Sequence, residues 1–150
     1  MVEIKNILFP CDLRESASRL LPYVQSTSEK YHSAIHIFHV IEDISKWGGF
    51  YIPHIPLELY QKEAEQAAEN FMEKICTNQL EKCPNIYKKI ISGKPATEIL
   101  KEIEASSIDL VIMGTHGYKG LERTIFGSVA EKVLKESAVP VLVINPYKVK

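Results

Sequence analysis

Five short apolar runs alternate with amphipathic segments along the chain, and this alternation constrains the fold more than any other sequence feature. The runs have the length of strands, whereas the segments between them repeat apolar residues at helical spacing. We predict strands at residues 4–9, 34–41, 86–91, 110–113 and 139–144. We predict helices at about residues 16–31, 57–80, 96–103 and 128–136. Such alternation is typical of a mostly parallel sheet with helices on both faces, so the sequence predicts a three-layer α/β/α fold.

The start of the first helix is left open by Pro22, which has no N–H group to donate. If Ser18 is the N-cap, Pro22 falls in the first turn, where the missing N–H costs little. A start at Ser16 instead implies a kink at the proline.

The most informative local motif follows the fourth apolar run. Gly114 and Gly117 allow a tight turn at the end of that strand, because glycine takes a positive φ without steric cost. Gly127 then precedes the last helix, and Ser128 offers a hydroxyl group that can cap it. The first N–H groups of a helix lack helical acceptors and favour an anion. Together these features indicate a phosphate-binding site.

The spacing Gly-x2-Gly-x9-Gly-Ser, from Gly114 to Ser128, resembles the ATP-binding signature of the universal stress protein family. Further similarity lies in residues 7–12, 39–40, 109–123, 126–133 and 140–144, so the resemblance covers nearly the whole chain. It implies one universal stress protein domain over residues 1–150. It also implies a five-stranded parallel sheet in the order 3-2-1-4-5, the adenine nucleotide alpha hydrolase-like fold.

In this strand order a ligand binds at the carboxyl ends of strands 1 and 4, where the order reverses. The resemblance implies that Asp12 contacts the adenosine part of a nucleotide; the alternative is a charge at the N-terminus of the next helix. It further implies that the backbone of Val40 reads the adenine edge. The predicted nucleotide-binding residues are Pro10, Cys11, Asp12, Val40, Met113, Gly114, Thr115, His116, Gly117, Gly120, Gly127, Ser128 and Val129. The implied ligand is ATP or another adenine nucleotide, with Mg²⁺ or Mn²⁺ on its phosphates and no metal ligand from the protein.

Several charged residues near these positions have two interpretations. Arg14 stands where the family usually has a small or hydroxyl residue, so it could reach toward the site. Lys119 and Arg123 either offset phosphate charge or belong to a solvated loop. We expect His116 to orient the loop through its backbone, with a phosphate contact as the alternative.

Two histidines and a cysteine near the predicted site are expected to have packing roles. His36 and His39 lie in the second strand without a cluster of metal ligands, which favours packed side chains. Cys11 is expected to fill a tight site as a small residue. The segment 42–56, rich in glycine and proline, either borders the site or packs on the surface.

Composition excludes several classes of function. The net charge of −1, without a block of like charge, is not that of a protein that binds nucleic acid or an anionic membrane. No apolar run approaches the roughly 20 residues of a membrane span, and the start lacks a signal-peptide pattern. The three scattered cysteines indicate reduced thiols, so we expect a cytoplasmic protein.

Three functions compete: a universal stress protein that binds ATP in a regulatory or sensing role, a slow ATPase, and an interaction module independent of nucleotide. The glycine motif argues against the third. The site shows no paired carboxylates or general base, which argues against efficient catalysis. We expect a homodimer through residues 139–144, because this uncharged strand would lie at a sheet edge and needs a cover.

Overall fold

The computed structural model describes residues 1–43, 56–115 and 127–149, which form alternating strands and helices. The strands are β1 (Asn6–Pro10), β2 (Ala34–Glu42), β3 (Ile86–Gly93), β4 (Leu110–Gly114) and β5 (Val141–Ile144). The helices are α1 (Glu15–Tyr31), α2 (Leu57–Asn78), α3 (Pro95–Ala105) and α4 (Ser128–Glu136). Within the described ranges, no helix is long and apolar enough to span a bilayer.

The five strands form one parallel sheet in the order β3-β2-β1-β4-β5. This confirms the predicted fold class and strand order. β1 is the central strand, with β2 on one side and β4 on the other. The chain order of the strands therefore reverses around β1, which is the position where sheets of this kind bind ligands.

A hydrophobic core fills each side of the sheet. Because successive residues of a strand point to opposite faces, β1 places Ile7 and Phe9 in the core under α1 and α2. Leu8, between them, belongs to the core under α3 and α4. β4 divides in the same way, with Ile112 on the first side and Val111 on the second. Burial on both faces explains why these strands are uninterrupted apolar runs in the sequence.

Helix α1 begins earlier than a cap at Ser18 would allow. Its first residue is Glu15, its N-cap is Arg14, and Pro22 lies inside the helix. Because proline has no N–H, the helical hydrogen bond to the Ser18 carbonyl is absent. The buried residues after the first turn compensate for this loss by packing on the sheet: Leu20, Leu21 and Val24.

The edge strand β3 carries two adjacent lysines whose side chains go to opposite faces of the sheet. Lys88 Nζ lies 2.8 Å from Glu73 Oε2 on α2. Lys89 Nζ lies 2.6 Å from Glu102 Oε2 on α3. Glu102 is buried, and one of its oxygens also accepts a hydrogen bond from Ser106 Oγ. The two lysines of β3 thus form ion pairs with the helices on both faces of the sheet.

Candidate functional site

A cleft of about 650 Å³ lies at the carboxyl ends of β1, β2 and β4. Its volume falls within the roughly 300–1,000 Å³ of typical small-molecule sites. The first residues of α4 and α3 close it from one face of the sheet, and residues of α1 and α2 line it on the other. The cleft therefore lies at the point of strand reversal, where the predicted strand order places a ligand.

Ten of the thirteen predicted nucleotide-binding residues line this cleft. They are Pro10, Cys11, Asp12, Val40, Met113, Gly114, Thr115, Gly127, Ser128 and Val129. His116, Gly117 and Gly120 lie outside the described residues, as do Lys119, Arg123 and most of the segment 42–56. The fold thus brings the described members of the set to one place, while their binding role stays a prediction.

The close approach of two backbone segments explains the glycine at position 127. Gly127 N–H donates to the carbonyl oxygen of Thr115 at 2.7 Å, which brings the start of α4 next to the end of β4. A Cβ atom on Gly127 would lie only 2.6 Å from that same oxygen. Gly127 has a φ of −61°, so a positive φ is not the reason for the glycine.

Gly114 also has a packing reason. A Cβ atom there would lie 3.1 Å from Leu20 Cδ1, so the missing side chain lets α1 approach the end of β4. Among the described glycines only Gly93 has a positive φ, so the expected φ-driven turn at Gly114 is wrong.

The predicted cap by Ser128 is also wrong, because Ser128 is the first residue of α4 and Gly127 is the N-cap. A glycine has no side-chain oxygen, so the N-cap residue does not itself occupy the N–H groups of the first turn. The first residues of α4, Ser128 and Val129, line the cleft, and no side-chain cap hydrogen bond forms at this helix start.

Asp12 lies in a strained turn between β1 and α1. Its Oδ1 accepts a hydrogen bond from Arg14 N–H at 3.2 Å, and Ser16 Oγ lies 3.4 Å from both carboxylate oxygens. Leu13 has a φ of 61°, a left-handed conformation that branched side chains seldom adopt. Such backbone conformations concentrate at functional sites. Asp12 thus borders the cleft and also stands at the N-terminus of α1, so both interpretations of its charge agree with the structure.

Cys11 has the environment of a packing residue. Its thiol is buried, and this burial raises the pKa of Cys11 to about 12. The group is therefore a neutral thiol near pH 7 and lacks the thiolate that redox chemistry requires.

The two strand histidines have different surroundings. His36 stacks on Tyr87 with the ring centroids 4.8 Å apart, and its Nε2 lies 3.1 Å from Asn6 Oδ1. Burial lowers the pKa of His36 below its ordinary value. His39 is half-buried, its Nδ1 lies 2.7 Å from the Cys11 carbonyl oxygen, and it lines the cleft. Sequence reasoning gave both residues the same role, whereas the fold places only His39 at the site.

Sequence reasoning missed one wall of the cleft, which α2 supplies. Tyr60, Ala64 and Ala67 line it, and their spacing of four and three residues puts them on one helix face. That spacing is visible in the sequence, but nothing in it shows that this face reaches the end of β2. Pro95 and Ile99, from the first turns of α3, were missed for the same reason.

Two charged residues besides Asp12 line the cleft. Arg14, left open from the sequence, does line it, which brings one positive side chain to the site. Glu42 lines it as well, at the end of β2. A second carboxylate therefore lies with Asp12 at the carboxyl edge of the sheet, because parallel strands end at the same edge.

Comparison with known proteins gives a consistent result. The family model described as "Universal stress protein family" matches residues 3–145. Universal stress protein MJ0577 of Methanocaldococcus jannaschii is 31% identical over 157 residues, which cover 96% of this chain and 96% of that protein. The solved structure of MJ0577 is similar, with a TM-score of 0.81, 32% identity, and coverage of 96% of this chain and 97% of that one.

Two more distant structural neighbours were solved as complexes. A universal stress protein in complex with cAMP has a TM-score of 0.67 at 14% identity, covering 97% of this chain and 99% of that chain. A universal stress protein from Archaeoglobus fulgidus in complex with dAMP has a TM-score of 0.63 at 16% identity, covering 97% and 100%. At these identities the likeness shows a shared fold.

Proposed function

This chain belongs to the universal stress protein family, and from that premise we propose that it binds ATP in the cleft, in a regulatory or sensing role under stress. One observation carries the proposal. The residues predicted from separate stretches of sequence, from Asp12 to Ser128, converge on a single cleft of suitable size.

The chemistry of the cleft suits the three parts of an adenine nucleotide. Apolar side chains line one part and suit a base: Phe38, Val40, Ile99 and Met113. The carboxylate of Asp12 suits a ribose hydroxyl, as a charged acceptor for a neutral donor. The N-terminus of α4 suits phosphate, because its first N–H groups and its dipole both favour an anion. Arg14 adds a positive side chain.

The ligands of two structural neighbours, cAMP and dAMP, support an adenine nucleotide as the ligand class. The choice of ATP within that class rests on the glycine signature. Gly114, Gly127 and Ser128 stand at its spacing, and all three line the cleft. The intact signature also favours a nucleotide-dependent function over an interaction module that works without nucleotide.

We assign Mg²⁺ or Mn²⁺ to the phosphates of the nucleotide. Within residues 1–43, 56–115 and 127–149, no group of three or more His, Cys, Asp or Glu side chains could hold a metal ion. Hard cations such as Mg²⁺ bind nucleotides through phosphate oxygens, with few protein ligands. Asp12 and Glu42 line the cleft and are the carboxylates that could add to such a shell.

A binding role fits the site better than efficient ATP hydrolysis. The Asp12 carboxylate accepts a backbone hydrogen bond from Arg14 and thereby holds the turn after β1. His39 uses Nδ1 to hold the Cys11 carbonyl, which leaves Nε2 as its one basic nitrogen. A slow ATPase is the second candidate, which the presence of Glu42 at the cleft favours.

We propose a cytoplasmic location, since all three cysteines are free thiols.

We also propose a homodimer through β5. Val111 N–H bonds to the Pro140 carbonyl and Thr115 N–H to the Ile144 carbonyl, so the even-numbered residues of β5 face β4. In a parallel ladder the backbone N–H and carbonyl groups of Val141 and Val143 then point to the free edge of the sheet. A second copy related by a two-fold axis would pair with this uncharged edge.

Thermal unfolding with and without Mg-ATP tests nucleotide binding. At a hundred times the dissociation constant, a ligand stabilises the folded state by ~2.7 kcal/mol. For a chain of this size the melting temperature should rise by roughly 5–10 °C, and adenosine should give a smaller rise. No shift with millimolar Mg-ATP, together with no heat in calorimetric titration, would contradict the proposal.

A further inference from the structure

We propose that His39 is a positioning residue of the cleft: its Nδ1–H holds the Cys11 carbonyl and thereby orients the turn that carries Asp12. The effect on nucleotide affinity rests on the proposed function. The contact between His39 and Cys11, and its effect on the turn, do not depend on nucleotide binding.

The paired register of β1 with β2 ends at Pro10 and Phe38. The register runs from Asn6↔Ala34 to Pro10↔Phe38, and Cys11 N–H still donates to the Phe38 carbonyl at 2.9 Å. One more step of the ladder would pair Cys11 with His39 by a bond from Val40 N–H to the Cys11 carbonyl. The register does not include that pair. The Cys11 oxygen instead lies 2.7 Å from His39 Nδ1.

This contact determines which ring nitrogen carries hydrogen. A carbonyl oxygen only accepts hydrogen bonds, so the hydrogen must be on Nδ1. In the neutral ring Nε2 is then the unprotonated nitrogen. The imidazole of β2 thus replaces a backbone N–H as the partner of β1 at the point where the chain leaves the sheet.

The held carbonyl belongs to the peptide unit that leads into Asp12. Because a peptide unit is planar, fixing its oxygen also fixes the direction of the Asp12 N–H. The next residue, Leu13, is left-handed, and Arg14 N–H is bonded to Asp12 Oδ1. A strained turn persists only where its surroundings hold it in place. The side chain of His39, on the neighbouring strand β2, holds this turn in place and also lines the cleft.

Three variants separate this role from general packing. Asparagine places its amide nitrogen near the position of Nδ1, whereas glutamine reaches the position of Nε2 and leucine offers no donor. Loss of one buried hydrogen bond lowers affinity by about tenfold, so His39→Leu and His39→Gln should bind Mg-ATP at least that much more weakly. His39→Asn should stay within about threefold of the native protein. Unchanged affinity in His39→Leu, or equal loss in His39→Asn and His39→Gln, would overturn the proposal.

A second measurement needs no ligand. Long-range ¹H–¹⁵N correlation spectra, recorded on the protein alone at a pH where the ring is neutral, should show hydrogen on Nδ1 of His39. The amide signals of residues 12–14 should move in His39→Leu and return in His39→Asn. Hydrogen on Nε2 alone, or unmoved signals in His39→Leu, would refute the role of His39. If the native protein binds no adenine nucleotide, the proposed function fails while these spectra still decide the question of His39.

Discussion

The contact between Gly127 and Thr115 is the tightest backbone constraint at the site. The hydrogen bond between them is 2.7 Å long, and a Cβ atom would approach the same oxygen to 2.6 Å. A side chain at position 127 would therefore meet the backbone of Thr115 before it met a phosphate. Any substitution must shift the start of α4 away from the end of β4.

Replacing Gly127 by alanine should weaken ATP binding by about tenfold or more, equivalent to about 1.4 kcal/mol, because the donors of α4 would move. Calorimetric titration with Mg-ATP measures this loss, and thermal unfolding shows whether the protein remains folded. Lys132→Ala is the matched control, since Lys132 is an exposed residue of the same helix that does not line the cleft. Equal affinity in the native protein and in Gly127→Ala would place the phosphate site elsewhere.

Substitution of Arg14 tests whether its positive charge contacts the phosphates of the ligand. If its guanidinium faces phosphate, Arg14→Ser should weaken ATP binding by about 1.5–3 kcal/mol, the value of a hydrogen bond to a charged group. The affinity for adenosine should change little, and Arg14→Lys should recover part of the loss. Equal losses for ATP and adenosine, measured by competition with a fluorescent nucleotide, would show that Arg14 supports the turn instead.

At the scale of strands and helices, the side chains of β5 differ in burial. Val141 and Val143 pack against the core under α3 and α4, whereas Leu142 is 41% exposed. Pro140 precedes the strand and accepts a bond from Val111, so the missing N–H of proline interrupts no residue of β5. Charged substitutions at the two valines would damage the core, which makes Leu142 the better position for testing the edge.

Leu142→Lys should convert a dimer into a monomer, because a charge on an edge strand opposes pairing with another strand. Light scattering should give twice the chain mass of 17.0 kDa for the native protein and about that mass for the variant. Tyr87→Lys is the control, since Tyr87 is an exposed apolar residue on the opposite edge strand β3. A monomeric native protein refutes the dimer, and a dimeric Leu142→Lys variant refutes this interface.

For the whole molecule, the sequence was most informative where both faces of a strand are buried. The run from Leu110 to Met113 has the length and the uninterrupted apolar character of a strand buried on both faces, and its position in the sheet followed from the family resemblance. The start of α1 at Glu15 lies next to the earlier of the two predicted starts, and tertiary packing holds Pro22 inside the helix although local rules favour a later start. The positions of His39 and Tyr60 in the cleft could not be predicted from the sequence, because they depend on where strands and helices end relative to one another.

The molecule as a whole should hydrolyse ATP slowly, far below the median enzyme rate of ~10 s⁻¹. The Asp12 carboxylate holds the turn after β1 through Arg14 N–H, which limits its use as a base. Phosphate release by the purified protein, compared with release by Gly127→Ala, measures this rate. Turnover near the enzyme median that disappears in the variant would identify the protein as an ATPase.

The lysines of β3 affect how many copies of the chain can pair into one continuous sheet. If two copies pair through β5, the outer edges of the continuous sheet are both β3. Each of these edges carries Lys88 and Lys89, held by Glu73 and Glu102 on opposite faces. In such a dimer a third copy would meet an edge strand with two lysines at either end, which opposes further strand pairing. The two unlike edges of the sheet would then limit the assembly to two chains.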